Sequence, residues 1–183
     1  MRNITILGIT LVLTSVVCAA QTGMAQAACA KAATPDELME AGRSGEEAFA
    51  RMDRKDLLKQ AALAREEIIP CLAQALTPPE ASMFHRLMAL EAFTFGNDDR
   101  VIVEFHAARK SDPGYVIPPE VVEGDHPLLK LYAKSTHAKD GKAEPIYAPK
   151  DGHVIVGGVR NAPRMSLTPL IIQVYDAEGA WIE

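Results

Sequence analysis

Two stretches of this chain, offset by 44 residues, carry one helical-hairpin pattern, and no other feature limits the fold as much. Pro35 answers to Pro79, Ala48 and Phe49 to Ala92 and Phe93, Leu57 and Leu58 to Val101 and Ile102, and Ala64 and Arg65 to Ala108 and Arg109. A helix pair written twice predicts two antiparallel hairpins stacked on each other, because one hairpin alone cannot bury its apolar face.

The helix limits are legible. Thr34-Pro35-Asp36-Glu37 and Thr77-Pro78-Pro79-Glu80 are capping boxes with proline in the first turn. Leu38, Gly42, Gly45, Phe49 and Met52 recur every three or four residues on one face of the first helix. Two glycines on that face lower helix propensity, so either a neighbouring helix approaches closely there or the helix is frayed. Met52 to Lys55 is the turn, and Leu57, Leu58, Ala61, Ala62, Ile68, Ile69, Leu72 and Leu76 pattern the second helix. Pro70 predicts a break near Ile69. The third helix carries Phe84, Leu87, Met88, Glu91 and Phe95, with Ala92 beside them, and turns at Gly96-Asn97-Asp98. The fourth carries Val101, Ile102, Phe105 and Ala108 and stops before Ser111-Asp112-Pro113-Gly114. Residues 113–124 read as extended, and Asp125-His126-Pro127 starts a short capping helix with Leu128, Leu129, Leu131 and Tyr132.

From Ser135 to Pro149 the chain turns polar, and then its character changes. His153-Val154-Ile155-Val156 is a strand, Gly157-Gly158 a hairpin turn into Val159-Arg160, and Leu170 to Tyr175 the strongest strand signal of all. Asp176 to Gly179 turns the chain into Ala180-Trp181-Ile182-Glu183. So small a sheet needs a helical face or a partner chain to bury it.

At the other end, Arg2, the uncharged apolar run Ile4 to Val17 and the small-x-small site Ala25-Gln26-Ala27 have the layout of a secretory signal peptide over residues 1–27. Cys18-Ala19-Ala20 is a second cleavage candidate, and the run is short for a membrane span. Lipidation is the less favoured alternative: Cys18 follows Val17 where a small residue is expected, and Cys29 lies far from the apolar run. The chain is therefore expected to be exported, to a periplasm or to the extracellular space. Removing Arg2 takes the formal net charge from −5 to −6, which argues against nucleic acid and anionic membranes as partners. Cleavage before Cys29 leaves two cysteines, Cys29 and Cys71, for which a disulfide is expected, with two buried thiols as the alternative.

Ala89 in the third helix, Phe105 and Ala108 in the fourth and the exit Asp112-Pro113-Gly114-Tyr115 give the second hairpin a pattern that resembles a tetratricopeptide repeat (TPR). In the first hairpin Gly45 and Ala64 fit, while Ala61 replaces the aromatic and Pro70 falls one residue late. The offset of 43–44 residues exceeds the family's usual 34, and His85 and Ala41 replace its early aromatic. The resemblance covers about residues 34–115 and implies binding of a protein or peptide through a concave helical face; a compact helical bundle without a groove is the alternative. The expected fold class is mainly α: two stacked antiparallel TPR-like hairpins plus a capping helix, then a small C-terminal antiparallel β element. The expected division is a helical domain over 28–134, a linker over 135–150 and a β-hairpin module over 151–183.

Catalytic patterns are missing. His85, His106, His126, His137 and His153 make no paired helical spacing, and there is no H-E-x-x-H, no G-x-S-x-G and no phosphate-binding glycine loop. No cofactor or metal is expected. The residues singled out for a partner are Arg65 and Arg109, at equivalent points of the two hairpins, Glu91 on the same face as Ala89, and Tyr175 and Trp181 near a strand edge. Arg65 and Arg109 serve equally as dipole-complementing cations near helix ends, and the alternative for Tyr175 and Trp181 is packing on the helices. The first expectation is a non-catalytic envelope scaffold that binds another envelope protein or a peptide. Its rivals are an enzyme with His85, Glu91 and His106 around a pocket and a purely structural exported domain.

Overall fold

The computed structural model describes residue 29 and residues 31–180; the expected signal peptide and Trp181 lie outside them. Among the described residues, five α-helices are followed by short antiparallel strands. The first hairpin is α1 (Pro35–Ala50) and α2 (Arg54–Ala62), and the second is α3 (Pro78–Thr94) and α4 (Asp98–Ser111). α1 lies against both α2 and α3, so the hairpins stack, and α5 (Pro127–Ser135) packs on α4. Among the described residues no helix is long and apolar enough to cross a membrane.

Both capping boxes form: the amides of Thr34 and Thr77 donate to the carboxylates of Glu37 and Glu80 at 2.8 and 2.6 Å. Gly42 and Gly45 are buried, and a Cβ on either would overlap the side chain of Met83 or Leu87 of α3. The glycines let α1 and α3 approach, and the loss of helix propensity is offset by that packing. Leu38, Leu57, Leu87 and Phe105 are fully buried in one continuous core, each stabilising the fold by roughly 1.5–3 kcal/mol.

The break expected near Ile69 is more gradual than a kink. α2 widens into a π-helical stretch, Leu63–Ile68, and then tightens into a 3-10 turn, Ile69–Cys71, that contains Pro70. Cys71 is bridged to Cys29, with Cα atoms 5.6 Å apart. Beside the bridge, the Ala33 amide donates to the Cys71 carbonyl (2.8 Å) and the Ala73 amide to the Ala33 carbonyl (3.2 Å). The segment ahead of α1 is thus sewn to the end of α2.

After α4 the chain runs back as a strap. Ile117 and Val122 are buried in the helical core. Tyr115 lies under the Arg86 guanidinium, 4.0 Å from its ring centroid, and Arg86 pairs with Glu46 of α1. The Tyr115 carbonyl accepts the Tyr132 hydroxyl, and burial raises the Tyr115 phenol above its ordinary range. These contacts tie α1, α3 and α5 to the strap.

The residues expected as a linker contain β1 (Ala143–Glu144), which pairs antiparallel with β4 (Arg164–Met165). β2 (His153–Val156) is the centre of a second sheet, flanked by β3 (Val159–Arg160) and β5 (Ile172–Tyr175) in the order β3-β2-β5. Gly157 and Gly158 turn the β2–β3 hairpin with φ of 56° and 82°, a pair of left-handed residues that suits the twist of the strands. This sheet rests on the helices. Gly158 abuts the backbone of Thr77 and Pro78. Gln173 accepts the Leu76 amide (2.9 Å) and donates to the Gln74 carbonyl (3.0 Å), so one buried amide joins the sheet to the loop between the hairpins. Asp140 adds a tie to α4, through His106 Nε2 (2.7 Å) and Lys110 Nζ (3.0 Å).

Candidate functional site

Glu91 sits inside the molecule, in an ion-pair chain. Its Oε1 accepts Arg65 Nη1 at 2.7 Å and its Oε2 lies 3.1 Å from Arg100 Nη2. Arg100 Nε is 3.6 Å from Glu104 Oε1, and Glu104 Oε2 is 2.9 Å from His85 Nδ1. The chain Arg65–Glu91–Arg100–Glu104–His85 joins the end of the first hairpin to both helices of the second. Two cations face two carboxylates, so the charges of the buried Glu91 and Glu104 are offset by the half-exposed Arg65 and Arg100. The hydrogen bond to Glu91 raises the Arg65 guanidinium further above its ordinary value.

His106 points elsewhere. Its Nδ1 faces the Ser135 carbonyl (3.1 Å) and its Nε2 the Asp140 carboxylate (2.7 Å). His85, Glu91 and His106 therefore do not converge on one cavity. Ser82, one turn before His85, was not singled out by the sequence, and with Glu104 it brings a serine, a histidine and a carboxylate into one region. The Ser82 hydroxyl is fully buried and makes no hydrogen bond among the described residues.

Arg109 lies over the Tyr132 ring, 5.1 Å from its centroid. Arg65 and Arg109 are thus held by different partners and do not line one groove. Tyr175 is buried, stacked on His153 at 4.8 Å between centroids, and accepts a hydrogen bond from Gln173 Nε2. Burial raises its phenol as well. Among the described residues no group of three or more His, Cys, Asp or Glu side chains is placed to hold a metal ion.

The surface feature that stands out is a cleft of about 630 Å³ at the tips of the two hairpins, a size suited to a ligand or a few side chains. Its base is aromatic. Phe49 and Phe93 meet edge to face with centroids 5.8 Å apart, and the His126 ring lies 5.9 and 5.5 Å from them. The strap forms one wall with Pro119, Val121 and Val122, and Leu57 lies beneath. Glu120, Glu123 and Arg54 are charged groups at the cleft, and the Arg54 guanidinium lies 5.2 Å from the centroid of the Phe95 ring. Met52 projects at the rim, 91% exposed.

The two hairpin turns that frame the cleft have one geometry. In the first, the Met52 and Asp53 amides donate to the Phe49 and Ala48 carbonyls at 2.9 and 2.8 Å. In the second, the Gly96 and Asn97 amides donate to the Phe93 and Ala92 carbonyls, both at 3.0 Å. Both are Schellman ends, which need a left-handed residue just past the helix. Gly96 takes that place at φ 66° and Met52 at φ 57°. Asp53 and Asn97 then cap the next helix by accepting the amides of Asp56 and Arg100.

No family model matches this chain, and no curated protein and no solved structure matches it. The functional reading therefore rests on the residues themselves. The cleft combines apolar area, aromatic edges and a bulky exposed methionine on a strained backbone. Its lining also holds Thr94, His126 and the carboxylates of Glu120 and Glu123.

Proposed function

We propose that this chain is an exported binding protein of the cell envelope that holds a protein segment or peptide in the cleft at the hairpin tips. In this reading the hairpins are a degenerate TPR-like pair, the first 27 residues are a removed signal peptide, and the Cys29–Cys71 bridge suits an oxidising compartment. The observation that carries it is the cleft: Phe49, Phe93 and His126 form an aromatic base, and Met52 stands 91% exposed at its rim in a left-handed conformation. Non-glycine residues held in the left-handed region cluster at ligand-binding sites, and Met52 is such a residue beside an apolar cleft. The outer edge of β5 is a second docking place, since β5 pairs on one side only among the described residues.

Panning the oxidised, purified chain against a random-peptide library tests the reading. Enriched peptides should compete with one another and lose binding to Val121→Lys, which places a charge on the cleft wall. Binding to Leu167→Lys, an exposed tail position away from the cleft, should be kept. No enrichment, or equal loss on both variants, would remove the cleft from consideration.

A further inference from the structure

We infer that the segment this cleft takes is basic as well as apolar: a peptide stretch that seats an aliphatic or aromatic side chain on Phe49, Phe93 and His126 and places a neighbouring Lys or Arg against Glu120 and Glu123. The inference rests on the binding reading above and adds the chemistry of the occupant.

Charge complementarity carries it. Glu120 and Glu123 are exposed on the cleft wall and make no ion pair among the described residues. The strap from Tyr115 to His126 holds Glu120, Glu123 and Asp125 and no Lys or Arg. Arg54 is the one cation among the lining residues, and its guanidinium rests on Phe95. The helix ends add to this. α1 and α3 finish at Ala50 and Thr94 in the cleft, and neither has a basic residue in its last turn, while α2, α4 and α5 carry Lys59, Arg109 with Lys110, and Lys134 there. Arg51 is the C-cap of α1, so the negative dipole end without a basic residue in its last turn or cap is that of α3, and it favours an incoming cation. The positive ends of α2 and α5 also lie here, but the Asp53 carboxylate caps the first, and His126 Nδ1 accepts an amide at the second. Aromatic rings favour a cation above their faces.

The cleft is partly open to solvent rather than enclosed, which fits a chain that continues beyond it better than an enclosed small molecule. A second cleft beside the disulfide is also acidic, but three of its four glutamates are already paired: Glu37 with Lys31, Glu40 with Arg43 and Glu66 with Arg65. It offers a partner fewer free carboxylates on that account. With the formal charge of the expected mature chain at −6, the long-range field draws the same kind of partner.

Fluorescence anisotropy with two dye-labelled probes tests this: the hexapeptide Lys-Trp-Leu-Lys-Phe-Lys and its counterpart with Glu for every Lys. The basic probe should bind on the order of tenfold tighter, with an affinity that falls as salt rises. The double variant Glu120→Gln/Glu123→Gln should weaken the basic probe roughly tenfold and leave the acidic probe as it was or tighter. Its circular dichroism and Tm should match the parent, because both glutamates are exposed. Equal affinity for the two probes, both blocked by Val121→Lys, would overturn the charge selectivity and leave the cleft a binding site. An unchanged affinity of the double variant for the basic probe would overturn it too. Binding of neither probe while panned peptides still bind would also overturn the inference alone; failure of the probes and of the panning together would remove both.

Discussion

Phe49 and Phe93 stand 44 residues apart in the sequence and meet edge to face, their centroids 5.8 Å apart, at the point where each hairpin's first helix ends. The same residue at the same place in two stacked helices makes a wall, and the strap closes it into a cleft. An edge-to-face pair adds about 0.5–1.5 kcal/mol beyond buried area. A double-mutant cycle with Phe49→Leu and Phe93→Leu should return a coupling of about 1 kcal/mol by urea unfolding. Additive single effects would mean that the rings are neighbours without interacting.

Met52 and Gly96 occupy matching left-handed positions, at φ 57° and 66°. A side chain there costs roughly 1–2 kcal/mol. Met52→Gly should therefore stabilise the fold by about 1 kcal/mol and raise Tm by about 2–4 °C. Gly96→Ala should destabilise by a similar amount, although a methyl at that position meets nothing within 4 Å, because the cost lies in the backbone. If Met52→Gly also weakens peptide binding, the native methionine is kept for contact at the expense of stability.

Cys29 and Cys71 close a loop with a sequence separation of 42. Chain-entropy reasoning gives the bridge about 3–4 kcal/mol. Cys29→Ser/Cys71→Ser should lower the unfolding free energy by that order and speed hydrogen exchange at the Ala33 and Ala73 amides, which bond across the same seam. An unchanged denaturation midpoint would show that the seam holds without its covalent tie.

Asp140 is held below its ordinary carboxyl value of 3.8, first by the hydrogen bond from Lys110 and then by that from His106, against the opposing effect of burial. A group depressed in the folded state contributes its full stability above the ordinary value and loses it as pH falls through the folded value. Asp140→Asn should cost about 1 kcal/mol at neutral pH, and the difference from the parent should shrink below pH 3.8. A difference that is constant down to strongly acid pH would show that the carboxylate's charge is not what holds the tail to α4.

Much of the fold is written locally. The two capping boxes, the stop after Ser111 and the Gly157-Gly158 turn each follow from residue chemistry within a few positions, whereas the admission of Met83 and Leu87 by Gly42 and Gly45 belongs to the packing of α1 on α3. The strands around Val154 and Val174 are legible from their residues in the same way; the turn sets the pairing of β2 with β3, while the pairing of Val154 with Val174 is a longer-range contact. Less legible are the form of the break at Pro70, spread over a π-helical stretch and a 3-10 turn, and the pairing of Ala143 with Met165, since two-residue strands carry too little pattern to announce themselves.

The site divides along the same line. By itself the sequence determined the repeated turns, the pair of phenylalanines beside them and the pairing of Cys29 with Cys71 as the expected bridge. Only the tertiary structure decided that Glu91 turns inward between Arg65 and Arg100, that Arg109 rests on Tyr132, and that residues 113–126 cross back to wall a cleft with two glutamates that make no ion pair among the described residues. Local chemistry fixes where a helix begins and ends. Which carboxylate meets a guanidinium and which stays free depends on contacts between residues far apart in the chain, and those exist only once the helices have packed.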